Sequence, residues 1–232
     1  MKVLFIGNSH TYFNDMPELF AKMCGELTGE RADVTMLAYS NRTLSWHCRE
    51  YFAIRFALLY GRYDYCVIQQ FGHPVPPVEE TEPFVERLVQ MCKPVGTKPV
   101  LYMTWAKKAE PEKASQISRI YRTLAETNDM LLAPMAELFE TIRIKRPDID
   151  LYWHDGSHAS PYGSYLIAAT LAAILCAPKD LNALTDQAIG FDAKFEEGKR
   201  PVAEEDADRC VIGLDPEKTS ALRRCIERAV IR

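Results

Sequence analysis

The sequence predicts an α/β fold, a three-layer α/β/α sandwich with a central parallel sheet of about five strands. Two observations predict it. Short apolar runs alternate with longer amphipathic stretches along most of the chain, and the first three runs each stop in a polar loop. Repeated β-then-α order implies parallel strands with helices packed on both faces, and strand-end loops of such a sheet open on one edge. A length of 232 residues suits one large domain.

Taken in order, residues 2–6 read as a strand and 16–27 as a helix with apolar residues at helical spacing. Residues 34–38 are strand-like, 44–59 form one helical stretch, and 65–68 are again a strand. The pattern continues with a helix near 80–92, a strand at 100–103, a helix near 113–127 and a short strand at 130–133. Helices follow near 135–145 and 161–176. Beyond Pro178 the pattern weakens: 191–208 is charged and aperiodic, and 219–230 reads as a terminal amphipathic helix. The domain is therefore expected over 1–178, with 179–232 a helical or irregular extension packed on it.

Composition excludes several classes of partner. Apolar residues make up 47% and charged residues 26%, and the net charge of −4 provides no basic field for nucleic acid. No run approaches the ~20 apolar residues that a membrane-spanning helix needs. Seven cysteines, an odd number without a CxxC pair, sit mostly in apolar stretches and read as core residues of a reducing compartment. With no export signal read at the start of the chain, a cytoplasmic location is expected.

The chemistry concentrates at two places. Strand one runs directly into Gly7-Asn8-Ser9-His10-Thr11, which is either a capped strand-to-helix turn or the display of a nucleophilic serine. Late in the chain stands Trp153-His154-Asp155-Gly156-Ser157-His158-Ala159-Ser160-Pro161. In a tight turn allowed by Gly156, the Asp155 carboxylate reaches the His158 imidazole, fixing its tautomer and turning the other nitrogen toward a serine. Ser160-Pro161 then starts a helix with an N-cap and a first-turn proline. A metal reading of His154, Asp155 and His158 lacks further ligands at a recognised spacing; His47, Cys48 and His73 are the obvious donors elsewhere. No metal or cofactor is therefore expected.

These residues together resemble the SGNH (GDSL-like) hydrolases, whose nucleophile follows the first strand and whose Asp-x-x-His precedes the last helix. The resemblance spans about residues 2–176. The Ile-Gly-Asn-Ser start and the ending that runs to Gly163 and Tyr165 look closest to a bacterial branch of the family. The resemblance implies a flavodoxin-like sheet and an esterase with Ser9 as nucleophile, His158 as base and Asp155 as orienting acid. It implies an oxyanion hole from the Ser9 amide, a group after strand two and a side chain after strand three. Here those positions hold Asn41 and the pair Gln69-Gln70, with Gln69 favoured. His10 and Trp153 are expected to line the substrate cleft. The implied substrate is a short acyl ester, such as an acetyl group on a carbohydrate or other small polyol; the alternative is a catalytically weak or inactive module that binds a glycan or peptide in the same cleft.

Overall fold

In the computed structural model the structure describes residues 1–190 and 211–231; the aperiodic stretch 191–208 lies outside the described residues. The chain forms two compact units, Met1–Thr11 with Ala32–Glu140, and Tyr12–Arg31 with Thr141–Arg232.

The first unit holds the five-stranded parallel sheet: β1 (Lys2–Gly7), β2 (Asp33–Ala38), β3 (Tyr65–Gln69), β4 (Lys98–Tyr102) and β5 (Leu131–Ala133), in the order β2-β1-β3-β4-β5. Val3, Leu4, Phe5 and Ile6 of β1 and Cys66, Val67 and Ile68 of β3 are fully buried. Such strands have no polar face and so read as continuous apolar runs. The register pairs Gly7 with Ala38, Ile6 with Ile68, and Gln69 with Tyr102. The loops after β1, β2, β3 and β4 therefore share one edge. Ligands of open parallel sheets bind beyond this edge, where the strand order reverses, here between β1 and β3.

The short helix α1 (Ser9–Tyr12) follows β1, and α2 (Met16–Thr28) belongs to the second unit. The stretch 44–59, read as one helix, is two: α3 (Leu44–Arg49) and α4 (Tyr51–Gly61). The break is at Glu50, whose ψ of 38° leaves the helical region. No proline or glycine marks it, so the apolar spacing runs through unbroken. Next come α5 (Val78–Cys92), α6 (Ala114–Thr127) and α7 (Met135–Lys145). Leu88 and Val89 of α5 and Tyr121 and Leu124 of α6 share one core with Leu4, Ile68 and Leu101 of the sheet.

The second unit is built on α8 (Pro161–Cys176), which packs on α2 and on the terminal helix α9 (Pro216–Val230). Twelve of its residues are buried, which suits a helix apolar on all sides. Ser160 caps α8 through the Gly163 amide, and its hydroxyl donates to the Asp150 carbonyl at 2.7 Å. A side chain at Gly163 would place Cβ 2.3 Å from the Leu151 carbonyl oxygen, so glycine lets α8 close on this segment. An antiparallel pair, β6 (Gln187–Ile189) with β7 (Val211–Gly213), was not anticipated by the sequence pattern; three residues per strand are too few to show a period.

Candidate active site

The loop that carries Ser9 is held by side chains of its own unit. Asn8 caps α1: its Oδ1 accepts the His10 amide at 3.1 Å, and its Nδ2 donates to the Arg42 carbonyl at 2.9 Å in the loop after β2. Ser9 is thus the first residue of a helix that another residue caps.

The Gln69 side chain supplies the next support. It is 1% exposed, and its Oε1 accepts both the Asn8 amide and the Thr11 hydroxyl at 2.9 Å. Its amide nitrogen donates to the Gln70 carbonyl. The neighbouring Gln70 is also buried; its Oε1 accepts the amides of Leu44 at 3.1 Å and Phe71 at 2.7 Å, and its Nε2 donates to the Thr81 hydroxyl. Both side-chain amides are engaged inside the protein, so their geometry assigns them to holding loops. At this strand end, buried backbone N–H groups need an acceptor, and the glutamines provide it.

Gly7 is explained by the same packing. A Cβ there would stand 2.3 Å from the Thr11 hydroxyl and 2.5 Å from Gln69 Oε1. The Gly7 carbonyl accepts Nε2–H of His47 on α3 at 2.8 Å. Burial lowers the His47 pKa below its ordinary value, opposed by this hydrogen bond, which favours the charged ring. His47 was considered in the sequence only as a metal donor. Among the described residues, no three His, Cys, Asp or Glu side chains converge as a metal centre requires.

The loop after β2 carries Asn41 in the left-handed conformation, with φ of 59°. Beside it Tyr39 is 46% exposed, its ring 5.1 Å from that of Trp46, while the Arg42 guanidinium lies 5.0 Å over the Trp46 ring. Near the ends of β3 and β4 is a cavity of about 360 Å³, lined by Gly72, His73, Val75, Lys107, Glu110 and Ile117 among others. His10, expected to line the cleft, is buried at 7%: its ring packs edge-on to His73 and Trp105, and its carbonyl accepts the Tyr102 hydroxyl at 2.8 Å. A helix turning inward immediately after Ser9 carries His10 into the interior.

The second unit holds the acid and imidazole. Residues 151–160 fold back on themselves: Tyr152 bridges Ala159, the Trp153 amide donates to the His158 carbonyl at 2.8 Å, and Gly156 takes φ of 66° at the tip. Within this turn His158 Nδ1–H donates to Asp155 Oδ2 at 2.6 Å, and Asp155 Oδ1 accepts the amides of Ser157 and His158. Burial alone would raise the Asp155 pKa; the hydrogen bonds from His158 and the two amides outweigh it and hold the carboxyl at about 2.

Sequence reasoning passed over two residues that fix this turn. The Phe13 ring stacks on the His158 ring at 4.3 Å and 14°. Asn14, fully buried with φ of 51°, donates through Nδ2 to the Ala159 carbonyl and the Ser164 hydroxyl, both at 2.9 Å. The signal was an Asn-Asp pair before a helix, the residue types that tolerate a left-handed backbone. Trp153 packs against Phe13 and His154, and its buried indole N–H has no hydrogen-bond partner among the described residues. Ser9 belongs to the first unit, and Asp155 and His158 to the second.

A parallel α/β sheet of order 2-1-3-4-5, a serine after its first strand and an Asp-x-x-His turn before a late helix define a class of hydrolase scaffold. Neither a family model nor a curated protein sequence matches the chain, whereas solved structures do. One, a protein of Slackia heliotrinireducens assigned to the SGNH hydrolases, is 30% identical over 74% of this chain and 97% of its own, with a TM-score of 0.63. The chain belongs to the SGNH hydrolase family. Two further structures share the fold at 16% identity. The acetyl xylan esterase AlAXEase matches 75% of this chain and all of its own at a TM-score of 0.61. A variant of the Geobacillus acetyl-xylooligosaccharide esterase Axe2 matches 72% of this chain and 90% of its own at 0.57.

Proposed function

We propose that the protein is a serine esterase that removes short acyl groups, acetyl above all, from a carbohydrate or other small polyol. The observation that carries the reading is the Asp155–His158 hydrogen bond of 2.6 Å. It commits the Nδ1 proton to the carboxylate and so fixes the tautomer in which Nε2 accepts a proton from serine. Ser9 Oγ attacks the ester carbonyl, and its proton passes to His158 Nε2. That proton then goes to the leaving alcohol as the acyl-serine forms. Water, deprotonated by the same nitrogen, releases the acid and restores Ser9. Asp155 stays ionised and stabilises the imidazolium. The amides of Ser9 and Asn41 hold the oxyanion. Gln69 and Gln70 enter as positioning residues.

Support for a carbohydrate comes from the acetyl-sugar esterases among the structural neighbours and from the exposed Tyr39 ring beside Trp46 and Arg42. The cavity of about 360 Å³ has the size of small-molecule sites. A fluorophosphonate probe, which reacts with activated serines, is expected to label the wild type once and to spare Ser9→Ala. A panel of acetylated sugars and nitrophenyl esters then reports the activity. Equal labelling of both proteins would remove Ser9 from the reaction.

A further inference from the structure

Helix α4 is apolar on almost every side, yet the fold buries only one of them. Arg55 is the single charged residue of Tyr51–Gly61. Ile54 and Leu58 enter the core of the first unit. Phe52, Phe56, Leu59 and Tyr60 face outward, 72%, 51%, 43% and 73% exposed. A surface helix ordinarily turns polar side chains to water, and aromatic rings exposed together mark an interaction surface.

The spacing lets a second copy of the same helix cover it. Phe52, Phe56 and Tyr60 fall at i, i+4 and i+8, one continuous ridge that is symmetric about Phe56. A twofold contact requires that residue i meet residue j while j meets i. An axis at Phe56 sets Phe52 against Tyr60 of the second copy, Phe56 against its own equivalent, and the exposed Ala53 against Leu59. We propose that α4 is the interface of a homodimer in which two copies of this helix pack antiparallel about a twofold axis at Phe56.

The area is of the right order. An aromatic side chain buries ~150–250 Å², so the exposed parts of Phe52, Phe56 and Tyr60 amount to about 400 Å² per chain. Two chains contribute about 800 Å² from three side chains each, roughly half of a standard interface of about 1,600 Å². Leu59 and the exposed Ala53 add to it. The helix leads through Gly61 toward the amino end of β3, the opposite end from the loop after Gln69, so dimerisation leaves the serine edge open.

Sedimentation equilibrium tests the proposal. Wild type is expected to be a dimer at about 10 µM, and Phe56→Glu to raise the dissociation constant at least ~100-fold with unchanged circular dichroism and esterase turnover. Cysteine crosslinking tests the register against wild type as the background. Phe56→Cys should crosslink to itself, whereas Phe52→Cys and Tyr60→Cys should crosslink to each other when mixed and not alone. A wild type that stays monomeric at about 100 µM, with or without binding to phosphatidylcholine vesicles, overturns the interface. So does a dimer indifferent to Phe56→Glu. Self-crosslinking of Phe52→Cys overturns the antiparallel packing. The sedimentation and crosslinking readouts do not depend on the ester reaction.

Discussion

Replacing Gln69 by leucine separates a positioning role from an oxyanion role. The substitution keeps most of the side-chain volume and removes the acceptor for two buried donors, the Asn8 amide and the Thr11 hydroxyl. Each buried donor left unpaired costs ~1–3 kcal/mol, so a loss of about 3 kcal/mol is expected. For a chain of this size, about 2–4 °C per kcal/mol gives a fall in Tm of roughly 6–12 °C. Asn8 immediately precedes Ser9, and a misplacement of about 1 Å at a reacting group costs on the order of 100-fold in rate. Gln69→Leu should therefore lose Tm and kcat together, while Gln69→Glu, which keeps an acceptor, should recover part of the Tm. Loss of a donor that meets only the transition state would instead lower kcat by about 100- to 1000-fold and leave Tm unchanged. Differential scanning fluorimetry and initial rates on nitrophenyl acetate measure both. A Gln69→Leu protein that melts within about 2 °C of wild type refutes the positioning argument.

Three further outcomes follow from the same geometry. Gly7→Ala forces a Cβ against Thr11 and Gln69 and should cost ~1–3 kcal/mol in urea unfolding, the range for overpacked interiors. His47 has its pKa lowered in the folded protein, so the unfolded chain binds more protons: stability is fully present above about pH 6.5 and falls as pH drops below it. His47→Gln, which keeps a donor for Gly7, should flatten that slope in denaturant titrations from pH 7 to 5. Asp155 has the opposite origin and the same sign: its carboxyl is held at about 2, so its contribution is present above about pH 4 and lost toward pH 2. Discounted for partial exposure, that contribution is about 1 kcal/mol or less. Asp155→Asn should remove it from the acid unfolding curve and lower kcat by on the order of 1000- to 10,000-fold, since an amide no longer selects the imidazole tautomer.

The parts of the protein legible in its sequence are those where local chemistry and tertiary demand agree. Buried strands must be apolar throughout, so β1, β3 and β4 announced themselves, and the order of elements gave the parallel sheet. The Asp155–His158 pair was legible because glycine and a three-residue separation allow it without help from elsewhere. The break at Glu50 was not, because no residue type there forbids a helix. The loop-holding bonds of the glutamines were not legible for a different reason. A polar residue at a strand end advertises a donor and an acceptor, but only the fold shows that Asn8, Thr11 and Leu44 claim them first. Asn14 escaped notice because its partners, Ala159 and Ser164, lie about 150 positions along the chain.

The contact among Gly7, Thr11 and Gln69 constrains how this chain is able to diverge. The Gln69 amide occupies the volume that any side chain at position 7 would need, and the Thr11 hydroxyl occupies the rest. A mutation at position 7 is therefore harmful while the other two stand, and loss of Gln69 strands the two donors that it satisfies. Substitution must proceed in a fixed sequence, with the long amide exchanged for a shorter acceptor before the glycine gives way. In a comparison of descendants, these three sites should change as a set, and a lineage that has lost the glutamine is where a residue larger than glycine at position 7 should first be found.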